Sequence, residues 1–172
     1  MSRRLSWRAL AIVAAGGAAV VGAAEVWVRL RPLVKATGGP QGVYYTDDTH
    51  RAVFGSDAVF MTITSALALV VAVAVVLRGR NLLRFSQILA GAGAAFAGSV
   101  LTAWLGALLD GVSRGPLQDF PPTQLEQGQT VIEPARLHTP AALGAAAICW
   151  LLVVFISALL SRRQAPPEHL HR

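Results

Sequence analysis

Long apolar stretches alternate with short polar ones along this chain. Four apolar runs stand out, at residues 9–28, 58–77, 85–109 and 140–160. Each holds the roughly 20 residues that a helix rising 1.5 Å per residue needs to cross a hydrocarbon core. A helix on the surface of a soluble domain keeps its apolar residues to one stripe; these runs are apolar all round. The pattern predicts an all-α integral membrane protein, a four-helix bundle over residues 1–161 with two extracytoplasmic loops. Residues 162–172, RRQAPPEHLHR, read as a disordered cytoplasmic tail.

The polar segments set the orientation. Arg3, Arg4 and Arg8 precede the first run, Arg78, Arg80 and Arg84 fill the short turn between the second and third, and Arg162, Arg163 and Arg172 follow the fourth. The single acid among these segments is Glu168. The remaining cations, Arg29, Arg31, Lys35, Arg51, Arg114 and Arg136, share the other side with the other acids. Positive-inside bias then places both termini in the cytoplasm of a multi-pass plasma-membrane protein. The first run resembles a signal peptide in its basic start and small residues at Gly22 to Ala24, but its length and the position of Trp27, suited to an interfacial anchor, favour a retained span.

Composition agrees with this class. Of 172 residues 54% are hydrophobic and 14% charged, against about 25% charged in soluble domains. A net charge of +6 raises the question of nucleic acid, but no basic segment is interleaved with aromatics as such a surface requires, and a nucleic-acid partner is excluded.

The loops carry the irregular structure. In the first, TGGPQG (Thr37 to Gly42) reads as turns, Val43 to Thr46 as a short strand, and Ser56 or Asp57 as the cap of the second span. In the second, QTVIEP around Val131 and Ile132 reads as another strand, so the two can pair into a small two-stranded outer cap. The turn from Arg78 to Arg84 is short enough for spans two and three to form an antiparallel hairpin.

The third span has the clearest internal pattern. Small residues recur every fourth position at Ala90, Ala94, Gly98, Thr102 and Gly106, beside a second ladder at Gly91, Ala95, Ser99, Ala103 and Ala107. In lipid, close backbone approach carries helix association, and small residues allow it. Gly91, Ala94, Gly98, Thr102 and Gly106 are therefore the expected packing positions, with Phe96, Val100, Trp104 and Leu108 as a bulky ridge alongside. The first span has a shorter ladder at Ala15, Ala19 and Ala23, and spans one and three are expected to be the tightly packed pair.

Chemistry is sparse. Glu25 lies about one turn from the outer end of the first span, and Arg29 follows four residues later, the favourable order for an ion pair on one helical face. An interfacial pair is expected; a working acid is the alternative, since an intramembrane carboxylate is a functional candidate by default. Asp47, Asp48 and His50 on one loop, with Glu133 and His138 on the other, have ligand-type side chains at spacings that match no defined metal or catalytic motif. Thr62, Thr64, Ser65, Ser99 and Thr102 offer hydroxyls within the spans. Cys149 is the single cysteine, which excludes an intrachain disulfide. No cofactor or metal is expected.

GAAEVWVRLRP closing the first span, GSDAVF opening the second and the arginine-bounded turn resemble an actinobacterial family of small four-span membrane proteins catalogued as a domain of unknown function. Heavy use of Ala and Arg, with Lys35 the single lysine, suits such a source. The resemblance implies location and topology and assigns no residue a role.

The expected function is that of a non-enzymatic accessory, assembly or stabilising subunit of a larger membrane or cell-envelope complex. Its partners would be the lipid bilayer and a membrane protein on the outer face. Leu117, Phe120, Leu125, Val131 and Ile132 in the second loop are the expected docking anchors. The rivals are a small transporter or channel component using Glu25 and the span hydroxyls, and a membrane enzyme with an outer-loop site.

Overall fold

The computed structural model describes residues 7–40, 42–44, 46–78, 85–114, 127–128 and 130–163, with backbone alone at 8–9, 42–44, 112–114 and 161–163. Four helices dominate: α1 (Trp7–Leu30), α2 (Asp47–Arg78), α3 (Phe85–Arg114) and α4 (Ala145–Arg163), the last led in by a 3-10 turn at Pro140–Gly144. With that turn counted into the fourth, all four are long and apolar enough to cross a membrane. Arg162 and Arg163 continue α4, so the helix runs two residues into the segment expected to be a tail. The rest of the tail, and Arg80 and Arg84 of the short turn, lie outside the described residues.

The helices form a ring in the order α1, α2, α4, α3: α1 packs on α3, α2 on α4, α3 on α4 and, less extensively, α1 on α2. Helices α2 and α3, although close in sequence, stand diagonally and are not the directly packed hairpin expected. The cause is α4. Trp150 and Val154 cluster with Ala72 of α2, and Val75, Ile88 and Ala92 close around them. The small side chains of Ala68 and Ala72 let α4 approach α2. The expected α1–α3 pair is present, but the α2–α4 contact is the more extensive.

Two tryptophans fix the crossings with α3, each seated over a glycine. Trp27 of α1 lies over Gly106, where an added Cβ would come within 2.5 Å of the indole Cε3. Trp150 of α4 lies over Gly91 in the same way. Trp27 is fully buried, edge-on to Phe60 at 5.1 Å between centroids, and its indole N–H donates to the Ser56 carbonyl at 3.1 Å. The Trp150 N–H donates to the Ile88 carbonyl at 3.1 Å. An indole can be buried without loss only when its N–H is satisfied, and both are. Trp27 is thus a core residue and not the exposed anchor its position suggested.

The ladder on α3 is accordingly corrected. Gly98 has nothing within 4 Å of where a Cβ would stand, and Ala94 is exposed. Thr102 and Gly106 are buried, as is Ser99. A 3.6-residue period turns an i, i+4 row around the helix, so one row cannot face both α4 near Gly91 and α1 near Gly106. Phe96, Val100, Trp104 and Leu108 are exposed. On α1, Ala23 and Ala24 are buried, but residues 10–19 are exposed throughout and Gly16, Gly17 and Gly22 meet no neighbour.

A three-stranded antiparallel sheet caps the end of the bundle where α1 and α3 finish and α2 begins. Its strands are β1 (Lys35–Gly39), β2 (Gly42–Tyr44) and β3 (Thr130–Ile132), in the order β2-β1-β3. Thr37 pairs with Tyr44 on one side and Thr130 on the other. The two strands read from the sequence are present, but they do not pair with each other. Both pair with β1, whose last three residues, Thr37 to Gly39, fall in the stretch expected to be turns. Val34 and Ala36 are buried. Gly128, with φ of 86°, supplies a left-handed residue ahead of β3, and its N–H donates to the Gly38 carbonyl at 2.9 Å.

Helix α2 starts at Asp47 rather than at Ala58. Thr46 caps it, its hydroxyl accepting from the Thr49 N–H at 3.4 Å, and Asp47 and Asp48 occupy the first turn where the helix dipole favours negative charge. The Thr49 hydroxyl donates to the Lys35 carbonyl at 2.9 Å, which ties the helix start to β1. Ser56 and Asp57 therefore lie inside α2, and Asp57 is free to cap something else.

Candidate functional site

Beneath the sheet, the ends of the helices enclose a cluster of charged side chains. Arg31 follows α1 directly and turns inward, its Nη2 2.8 Å from Asp110 Oδ2 near the end of α3. The two side chains are 1% and 0% exposed. Asp110 Oδ2 also accepts from the Ala135 N–H at 2.8 Å, and Arg31 Nη2 donates to the Glu133 carbonyl at 3.3 Å. One ion pair thus joins α1, α3 and the segment returning from β3. Desolvating two charges is costly and is offset only where geometry and further hydrogen bonds satisfy both groups.

Asp57 performs the matching task on α2. Its carboxylate is 4% exposed and accepts from the backbone N–H groups of His138, at 3.2 Å, and Thr139, at 2.8 Å. These amides lie at the entrance to the 3-10 turn and α4, where unpaired donors accumulate. Thr139, the cap residue, makes no side-chain capping bond of its own. A carboxylate from another helix supplies the acceptor.

His138 stands between two acids. Its Nδ1 is 3.8 Å from Asp57 Oδ1 and its Nε2 3.5 Å from Glu133 Oε2. Both nitrogens are buried and neither makes a hydrogen bond. Glu133 in turn pairs with Arg136 at 3.0 Å.

Of the loop residues with ligand-type side chains, Glu133 and His138 come together and Asp57 joins them, while Asp110 pairs with Arg31 beside them. Asp47, Asp48 and His50 remain exposed on the first turn of α2, Asp48 4.0 Å from Arg51. Among the described residues, no three such side chains are placed to hold one metal ion. Glu25 and Arg29 form an i, i+4 pair, Arg29 Nε donating to Glu25 Oε1 at 2.7 Å. With the side chains 42% and 75% exposed, it contributes little to stability. The hydroxyls of Thr62, Thr64, Ser99 and Thr102 donate to carbonyls in the preceding turn of their own helices. Cys149 is a half-buried thiol on α4. Val131 and Ile132 lie half-buried on β3, whereas Leu117, Phe120 and Leu125 lie outside the described residues.

Family models, curated proteins and solved structures offer no match to this chain.

Sequence reasoning missed the Arg31–Asp110 pair, and both residues carried a signal. Each lies at the edge of an apolar run at the same end of the bundle, where an opposite charge emerging from the neighbouring helix is within reach. What the cluster can do chemically is limited by its bonds. Asp110 and Asp57 accept from backbone amides, and Arg31 joins a carboxylate to a carbonyl. It is a joint between the helices and the cap.

Proposed function

We propose that the chain is a multi-pass protein of the plasma membrane, with the sheet cap outside and α1 beginning and α4 ending on the cytoplasmic side. In this reading it serves as a non-enzymatic accessory or assembly subunit of a larger membrane complex. The observation that carries the reading is the cap. Arg31, Asp110 and Asp57 are bound into a joint between the helices and the cap, while β3 forms an edge of the sheet. An edge strand presents backbone groups that another chain can pair with. The segment leading to it, 115–126, holds Leu117, Phe120 and Leu125 as apolar anchors among polar residues. The exposed apolar stretch 10–19 of α1 supplies surface for lipid or for a second contact. The arginine distribution supports the orientation.

Two measurements test this. An alkaline phosphatase fusion after Arg172 should be inactive and one near Gln124 active; the reverse pattern would invert the topology. Replacing 115–126 with a Gly/Ser linker of equal length spares β3, Ala135 and the Asp57 contacts, so membrane insertion and thermal stability should hold. A protein that co-purifies with the parent chain from its native host in mild detergent should be lost from this variant. Its retention would move the contact to the helices, and a parent chain that purifies alone would end the accessory reading.

A further inference from the structure

We propose that His138 is a proton-operated clamp, which on protonation locks the segment returning from β3 onto α2 through Asp57 and braces that segment internally through Glu133. The first argument is the hydrogen-bond inventory. An ionised carboxylate can only accept, and a neutral imidazole has one N–H to give. Here each ring nitrogen faces a carboxylate oxygen, Nδ1 that of Asp57 and Nε2 that of Glu133. A neutral ring can therefore satisfy one side alone and must turn a lone pair towards the other acid. The imidazolium, with two donors, suits both.

The second argument is charge. Asp57 reaches His138 from α2, and Glu133 from the same segment as the histidine, with Arg136 behind Glu133. Beyond the Glu133 carbonyl, Arg31 after α1 faces Asp110 of α3, and these two are paired. Among these groups Arg31 balances Asp110 and Arg136 balances Glu133, which leaves the nearly buried charge of Asp57 for His138. Protonation of the ring brings the cluster to neutrality.

The third is distance. At 3.5 and 3.8 Å the two contacts are ion-pair separations too long for hydrogen bonds. Closing them to charge-assisted lengths takes a shift of about 1 Å or less at each end. The amides of His138 and Thr139 already rest on Asp57, so the movement tightens an existing seat. Each ring nitrogen already faces a carboxylate oxygen, so a proton taken up by the ring on the side of the cap closes the clamp. The sign follows from linkage. The folded chain offers the protonated ring two carboxylates and the unfolded chain offers it water, so acid strengthens the seat.

The test uses the full chain in detergent micelles with His50, His169 and His171 replaced by glutamine, leaving His138 as the sole histidine. Ring 15N shifts should report a neutral imidazole at pH 8.5 and both nitrogens protonated at pH 5.5. The melting temperature of this chain should rise by roughly 2–4 °C between those values, relative to a chain that also carries His138→Gln. A ring that stays neutral at pH 5.5, or charged at pH 8.5, overturns the clamp, as does an identical pH profile in the His138→Gln chain. Should that last variant fail to fold, the ring shifts decide alone.

Discussion

Asp110→Ala is expected to lower the stability of the detergent-solubilised chain by about 3–5 kcal/mol, the largest effect of any single polar substitution here. The loss comes from what remains. Arg31, 1% exposed, would be left as a buried cation without its counter-charge, and the Ala135 N–H would lose its acceptor. Removing both charges should do less harm than removing one, because an apolar pair of similar volume carries no desolvation cost. Arg31→Met with Asp110→Leu should therefore recover a large part of the loss, and the double-mutant cycle isolates the coupling. Thermal unfolding followed by circular dichroism is a sufficient readout. An Asp110→Ala chain that melts within about 0.5 kcal/mol of the parent would mean that the pair is solvated and the joint is not what holds the cap.

The second large effect concerns the tryptophan seats. Gly106→Leu should destabilise by about 1–3 kcal/mol or more, since its first added carbon would meet Trp27 Cε3 and Cζ3 at 2.5 and 2.6 Å. Gly91→Leu should behave alike through Trp150. Gly98→Leu, between them on the same helix, should lie within about 0.5 kcal/mol of the parent, because nothing stands within 4 Å of its first added carbon. Unfolding of the three variants side by side separates specific seating from a general intolerance of bulk on α3. Equal losses at Gly98 and Gly106 would return the packing face to the every-fourth-residue row.

The contrast at Gly98 shows how far the sequence could be read. Span length is written in composition, because crossing a hydrocarbon core demands about 20 apolar residues wherever the helix packs, and all four runs became helices. Facing is a different matter. On an alanine-rich helix nearly every row is small, so the row that is used depends on which bulky side chain arrives from a neighbour. Trp27 and Trp150 made that choice. Strand β1 was hidden because Thr37, Gly38 and Gly39 read locally as a turn. The pairing of Ala36 with Val131 and of Thr37 with Thr130 joins residues more than 90 positions apart. The start of α2 was hidden by its polarity, although Thr46 and the acids at 47 and 48 carry the local signature of a helix beginning. The Arg31–Asp110 pair was hidden because each residue is adjacent to a polar segment; their burial follows from the helices ending at one level.

The joint also carries a consequence for biogenesis. Arg31 is made 79 residues before the aspartate that neutralises it, and Asp57 81 residues before the His138 amide that it holds. During synthesis from the N-terminus, the first two helices must wait with their charges uncovered until the end of the third has emerged and the chain has returned past residue 139. Closure of the cap is therefore a late event. A nascent chain halted before that point presents an unpaired arginine and an uncapped edge, marks by which an unfinished molecule differs from a finished one.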